Sequence, residues 1–289
     1  MHPTLALRRF ASRLQPLESE VEAAYQHLAT IRARLNNSFH VAAVVRIGSH
    51  SRGTAIRTYS DVDILAVLRR KEARWANRDV SPDTFMRRIS EDLRDRYTAT
   101  SIRRDGQAVV LEFSGGDHAV DLVPGIFERI ESRCAVYRIP GDANEWIETS
   151  PDRHKRRFQI ASAKSGGKLR LVSQLIKGWR YGREPPFAVS SFYTDMLLAS
   201  SGIASGVKSY GECLYEFFAE LVRREGRGLR DPEGIAGVIP ATTSDPARAR
   251  LVAASITARD RAAVALDAEA RGDFAGAVRQ WSMVFNRAL

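Results

Sequence analysis

The sequence predicts an α+β fold in two lobes: a mixed β-sheet with helices and a long N-terminal helix over residues 1–150, then an α-helical lobe over residues 151–289. Three observations predict it. Apolar residues recur every three to four positions through the first 36 residues. Short apolar runs of strand length, bounded by Gly, Ser and Asp, follow between 41 and 123. Beyond about 150 only helical periodicity remains.

In chain order, residues 4–36 read as one long helix with a possible break at Pro16. Leu14, Leu17, Val21, Ala24, Tyr25, Leu28, Ile31 and Leu35 mark its buried face. Asn36-Asn37 ends the run. VAAVVRI (41–47) reads as a strand leading straight into Gly48-Ser49. DVDILAVL (61–68) carries apolar residues on both faces beyond its aspartates, as a strand covered on both sides does. Ser81 and Pro82 supply an N-cap and a first helical residue. QAVVLEF (107–113) and HAVDLV (118–123) read as two strands joined by a hairpin-like turn at Ser114-Gly115-Gly116-Asp117. Helices are then expected from Ser150-Pro151, over 168–181, 190–201, 209–225 and 246–271, and over 273–286.

The composition permits a sizeable core, 44 % of the 289 residues being hydrophobic. No apolar run approaches a membrane span, and MHPTLALRRFASRLQ lacks a signal peptide's apolar core. Two distant cysteines, Cys134 and Cys213, argue against a disulfide framework or a structural zinc site and fit a cytoplasmic protein. A formal charge of +10 permits a nucleic-acid or polyphosphate partner. Only six of the 44 basic residues are lysine (Lys71, Lys155, Lys164, Lys168, Lys177, Lys208), an Arg skew that a GC-rich genome also produces.

The chemistry concentrates in GSHSRGTAIRTYSDVDIL (48–65). Asp61 and Asp63 lie two apart on a strand, so both side chains share a face while Val62 and Ile64 take the other. Carboxylates this close repel unless a cation or proton lies between them. Asp121, on a later strand, completes a set of three if the strands are neighbours. Three such carboxylates are the ligand set for two magnesium ions in an in-line phosphoryl displacement, with manganese as a substitute. Gly48 lets backbone approach a phosphate, and Ser49 offers a hydroxyl and an amide where a helix can begin.

This ordered set resembles the polymerase-β-like nucleotidyltransferases, and specifically the bacterial cGAS/DncV-like nucleotidyltransferases (CD-NTases) of cyclic-oligonucleotide antiphage signalling. The resemblance is strongest over 41–125. It implies an active site in the cleft between the lobes, with Asp61, Asp63 and Asp121 both catalytic and metal-ligating and Gly48 and Ser49 holding the donor phosphates. LVSQLIKGWRYG looks like the family's Lys-x-Trp segment, implying that Lys177 meets the triphosphate. Ser191-Phe192-Tyr193-Thr194-Asp195 is similar to its Ser-Tyr-x-x-Glu segment. By that match Ser191 touches phosphate and Phe192 stacks on the donor base, with Tyr193 the alternative stacker.

The implied activity is synthesis of a cyclic di- or trinucleotide from nucleoside triphosphates, the product acting on a downstream effector protein. With no zinc ribbon, activation by clamped double-stranded DNA is not expected. Two other readings stand beside it: an RNA-terminal nucleotidyltransferase of the tRNA-end-adding or poly(A) type, and a catalytically silent nucleotide- or RNA-binding module. Several features read as structural. Ser165-Gly166-Gly167-Lys168 is expected to be a turn rather than a P-loop. Residues 153–157 are expected to form a solvated helix face, His50 to be a loop residue, and Trp146, Trp179 and Trp281 to be core.

Overall fold

Pro16 splits the N-terminal helical region in two. Proline has no N–H to continue a helix and biases Gln15 before it toward extended backbone. The result is α1 (Pro3–Arg13) and α2 (Glu18–Ser38), in place of one long helix. In this computed structural model, which describes residues 1–76, 78–113 and 119–289, the two helices serve different cores. Leu7, Phe10, Ala11 and Leu14 pack with Trp179 and Phe285. Ile31 and Leu35 pack with Ile64, Ile89 and Leu122.

The chain continues through β1 (Val41–Arg46), α3 (Gly48–Arg52), β2 (Val62–Leu68), a 3-10 turn, the ribbon β3 (Arg74–Trp75) and β4 (Arg78–Asp79), and α4 (Pro82–Arg96). The strands β5 (Ser101–Asp105), β6 (Ala108–Glu112), β7 (Val120–Glu131), β8 (Cys134–Pro140) and β9 (Trp146–Thr149) follow. After them come α5 (Pro151–Lys164), α6 (Lys168–Arg180), α7 (Ser191–Ser201), α8 (Tyr210–Arg223), the ladder β10 (Leu229–Arg230) and β11 (Val238–Ile239), α9 (Asp245–Ala270) and α10 (Phe274–Phe285). Two compact units divide these elements. One comprises Pro16–Arg52 and Ser60–Lys155; the other comprises Met1–Gln15, Gly53–Tyr59 and Arg156–Leu289.

The first unit is built on a sheet of order β1-β2-β7-β6-β5, with β8 beside β7 and β9 beside β8. Among the described residues only the β2–β7 pair of this sheet is parallel. Alternation along β2 sends Ile64, Ala66 and Leu68 into the core with α2 and α4, and Leu65 and Val67 into a second cluster with Ile139. That is the doubly covered strand expected for 61–68. Ser81 caps α4 as read from the sequence, its hydroxyl accepting the Thr84 amide at 3.2 Å. Among the described residues no helix is long and apolar enough to cross a membrane.

This sheet goes beyond the expectation in two ways. The strands β5, β8 and β9 had no reading, and β7 runs on to Glu131 past Pro124-Gly125, where the sequence suggested an end. The register explains the tolerance of Pro124. Pairing with β6 has stopped at Leu122 and pairing with β8 resumes at Ile126, so β7 has an open side where its proline lacks an N–H. The turn expected at Ser114–Asp117 lies outside the described residues.

The second unit is helical, with the small β10–β11 ladder added to the helices expected there. Trp179, Phe217, Phe218, Trp281 and Phe285 fill its core. Helix α1 and the segment Gly53–Tyr59 belong to this unit, although both precede residue 150. Their apolar residues, from Leu7 to Leu14 and Ile56, complete that core.

Candidate active site

The site grows from the end of β1. The Ile47 amide donates to the Asp63 carbonyl at 2.9 Å, tying that end onto β2. Gly48 follows with φ +61°, a left-handed conformation that L side chains rarely take. A Cβ there would lie 1.8 Å from Oδ2 of Asp63. Glycine therefore answers two demands at once, the turn and the close approach of a carboxylate. The chain then enters the five-residue α3, where Ser49 is buried and the Ser51 hydroxyl donates to the Gly48 carbonyl at 2.9 Å. His50, expected in a loop, lies on this helix with Nε2 3.4 Å from the Ser60 carbonyl oxygen.

The three aspartates come together through strand register. Asp61 directly precedes β2, and Asp63 is its second residue, flanked by buried Val62 and Ile64 on the other face. In the parallel β2–β7 pair the partner of Asp63 is Asp121. Burial, followed by the charges of Asp61, Asp63 and Asp105, pushes Asp121 up from 3.8 to about 7, with Arg103 opposing. Its Oδ1 is buried without a hydrogen-bond partner among the described residues.

An unpartnered carboxylate oxygen facing two further carboxylates suits a hard divalent cation, which prefers oxygen ligands. Among the described residues no three His, Cys, Asp or Glu side chains are gathered tightly enough to close on an ion. The fit rests on the donor set and the orphaned oxygen.

The remaining expected residues lie in the helical unit. Ser191 opens α7, and its hydroxyl accepts a hydrogen bond from Arg180 at 3.1 Å. Phe192 is half-buried at the margin of the core. Tyr193 is fully buried, and its hydroxyl donates to the Arg227 carbonyl at 3.2 Å. Of the two candidate stackers, Tyr193 is thus a core residue, and Phe192 is partly buried.

Lys177 is 2 % exposed and donates through Nζ to the carbonyl and hydroxyl of Thr54, each at 2.9 Å. Asp195 lies 3.6 Å from the same nitrogen. Sequence reasoning missed Thr54 and Arg180. Arg180 stands one helical turn beyond Lys177, a spacing that could have flagged it.

The features read as structural behave largely so. Gly166 and Gly167 both take positive φ in the turn that opens α6. Trp179 and Trp281 are core, while Trp146 is half-buried and donates to the Val80 carbonyl at 3.3 Å. The 153–157 run is more engaged than a solvated face. Arg153 pairs with Glu131, Arg157 pairs with Glu233, and His154 is buried. Cys134 and Cys213 are both free thiols.

Residues 1–161 match the Second Messenger Oligonucleotide or Dinucleotide Synthetase domain. The chain is 24 % identical over 201 residues to the cyclic AMP-AMP-AMP synthase of Escherichia coli (strain MS 115-1). That alignment covers 65 % of this chain and 59 % of the synthase, less than two thirds of the relative's length. In fold the chain is similar to E. coli MS115-1 CdnC solved with ATP, with a TM-score of 0.73, 19 % identity and coverage of 97 % of this chain and 96 % of that one. It is similar also to the Bradyrhizobium diazoefficiens CD-NTase CdnG solved with GTP (TM-score 0.69, 15 % identity, 99 % and 98 % coverage). These likenesses confirm the nucleotidyltransferase fold with its helical C-terminal region. Since the domain match extends over more than half its length, the chain belongs to the Second Messenger Oligonucleotide or Dinucleotide Synthetase family, the CD-NTases.

Proposed function

We propose that this chain is a template-independent nucleotidyltransferase that joins nucleoside triphosphates into a cyclic di- or trinucleotide. The observation that carries the reading is the registered pair Asp63 and Asp121, with Asp61 two residues before Asp63 and Gly48 against its carboxylate. A carboxylate set with one oxygen unpartnered is costly to a fold that makes no use of it. Family membership and the curated cyclic-trinucleotide synthase among its relatives support the choice of cyclisation over RNA extension.

Asp61, Asp63 and Asp121 would hold two magnesium ions, with manganese as a substitute. Such ions, when bound, lower the pKa of the acceptor hydroxyl and neutralise charge on the donor triphosphate. The residues then divide the work. Gly48 and Ser49 hold the donor phosphates, aided by Ser191, whose hydroxyl is oriented by Arg180. Phe192 stacks on the donor base. Asp121 takes the proton of the acceptor ribose hydroxyl, whose oxygen forms the new bond to the α-phosphorus as the bond to pyrophosphate breaks. Further transfers of the same kind, each releasing one pyrophosphate, complete the ring: two in all for a dinucleotide, three for a trinucleotide. The product would signal to a separate effector protein in the cytoplasm as part of antiphage defence.

The test is incubation of the purified chain with the four ribonucleoside triphosphates and Mg²⁺ or Mn²⁺, with and without RNA, followed by phosphatase. A short phosphatase-resistant product is expected. Extension of the added RNA instead would overturn the reading.

A further inference from the structure

Helix α9 carries a face of small residues with a cation at each end. Arg250, Ala254, Ala258 and Arg261 follow one another at intervals of four, four and three residues, so they share one side of the helix. Alanine leaves room there that larger side chains would fill. That room is a cleft of about 560 Å³ between the end of α6, the stretch Arg183–Ala188, α9 and α10. Trp179, Phe187, Leu251, Ala258 and Val284 give it an apolar wall, with the Trp179 and Phe187 ring centroids 4.7 Å apart and their planes at 37°. All of these residues belong to the helical unit.

Two guanidinium groups of the cleft converge on one carbonyl. Arg261 donates to the Met283 carbonyl at 2.9 Å, and Arg183 donates to the same carbonyl and to that of Val284, each at 3.2 Å. Both carbonyls lie in the last turn of α10, where a helix bears a negative partial charge of roughly half an electron. Capping that end accounts for one cation; two exceed what it can offset. Each guanidinium has five N–H donors, of which Arg183 commits two and Arg261 one. Among the described residues neither pairs with a carboxylate, Glu184 of the same cleft included. Burial, followed by the Arg261 charge, pushes the Arg183 guanidinium below its usual range. An anion held between the two would reverse that repulsion.

We propose that this cleft binds a small aromatic acid, its rings lying against Phe187 and the alanines of α9 and its carboxylate or phosphate shared by Arg183 and Arg261. The volume falls in the range of about 300–1,000 Å³ usual for small-molecule sites, and an apolar wall with a few convergent polar groups is their usual make-up. Both parts of the ligand are needed. A bare inorganic anion leaves the apolar wall in water, and a neutral ring system leaves the two like charges facing each other. The site is separate from the carboxylate set and does not depend on the proposed nucleotidyl transfer.

Isothermal titration of the purified chain tests it with 2-naphthoate, its uncharged isostere 2-naphthamide, and acetate. 2-Naphthoate should bind at one site with a Kd below about 1 mM, and acetate should not bind measurably. 2-Naphthamide should bind about tenfold or more weaker. 2-Naphthyl phosphate, run beside them, shows which anionic group the two arginines prefer. Arg261→Gln should weaken 2-naphthoate by about tenfold or more and leave 2-naphthamide unchanged, while Arg261→Lys keeps most of the affinity. Arg250→Gln removes the same charge eleven residues, roughly 16 Å, away along α9, and should change the Kd by less than about threefold. Ala254→Leu, which fills the cleft, should weaken both ring compounds by about tenfold or more.

Failure of the wild type to bind either 2-naphthoate or 2-naphthyl phosphate would overturn the proposal. Equal affinity for 2-naphthoate and 2-naphthamide would reduce the cleft to an apolar cavity and overturn the anion site. Equal weakening by Arg250→Gln and Arg261→Gln would mean attraction to the net positive charge of the chain, with the same result. Should Arg261→Gln fail to fold, the charged and uncharged probes on the wild type, with Ala254→Leu, still decide.

Discussion

Gly48 and Asp63 approach so closely that a methyl group on the first would sit 1.8 Å from a carboxylate oxygen of the second. The turn after β1 and the second residue of β2 thus form one fitted unit. Gly48→Ala must displace the Asp63 carboxylate and also strain a backbone at φ +61°. A 1 Å misplacement of a reacting group is worth about 10²-fold in rate, and a loss of that order in kcat is expected. Steady-state assay beside a melting curve checks that the loss comes from the site and not from unfolding.

Asp61→Asn with Asp63→Asn removes two charges without changing shape. If these residues hold the catalytic cations, several kcal/mol of transition-state stabilisation disappears, and turnover falls by about 10³-fold or more. Because the substitutions also relieve repulsion around Asp121, the double variant should melt no lower than wild type. Full activity in this variant would contradict the site assignment.

Asp121 gives the ion-free protein a specific pH dependence. Its folded pKa, raised from 3.8 to about 7 by burial and by Asp61 and Asp63, means that the folded state favours the protonated acid. The associated stability is fully present below pH 4 and is lost as the pH rises through about 7. In EDTA the wild type should lose melting temperature between pH 5 and pH 8 relative to Asp121→Asn, which cannot ionise. Each kcal/mol involved is worth roughly 2–4 °C in a chain of this size. Added Mg²⁺ should return most of that loss to the wild type and none to the variant.

Phe192 and Tyr193, adjacent in sequence, should separate cleanly. Stacking on a nucleobase is worth about 1–3 kcal/mol, so Phe192→Ala should raise KM for the donor by about 5- to 100-fold with the melting temperature little changed. Tyr193→Phe gives up the hydroxyl's hydrogen bonds, to the Arg227 carbonyl and with the Arg224 side chain, costing about 1–3 kcal/mol of stability, and leaves KM alone. Melting curves and initial-rate kinetics on the two variants settle the pair.

Much of this was legible in the residues because the signals were local. Pro16 marks a break, Ser81-Pro82 marks a helix start, and the two-residue spacing of Asp61 and Asp63 fixes their common face. The convergence of Asp121 was conditional on strand adjacency, and the parallel register supplied it. What stayed hidden depends on packing between distant segments. Nothing in the first fifteen residues says that Leu7 and Phe10 join a core with Trp179. The strand β7 continues past Pro124 only because its neighbours change there. Lys177 reads from its motif as a triphosphate contact, and its burial against Thr54 and Asp195 depends on segments far apart in sequence.

The most direct measurement is the product formed by the wild-type chain. With all four ribonucleoside triphosphates and Mg²⁺ or Mn²⁺, mass spectrometry after phosphatase treatment should show a cyclic di- or trinucleotide, absent with Asp61→Asn/Asp63→Asn. Incorporation into added RNA with no cyclic species, or a product that persists in the double variant, would contradict the account.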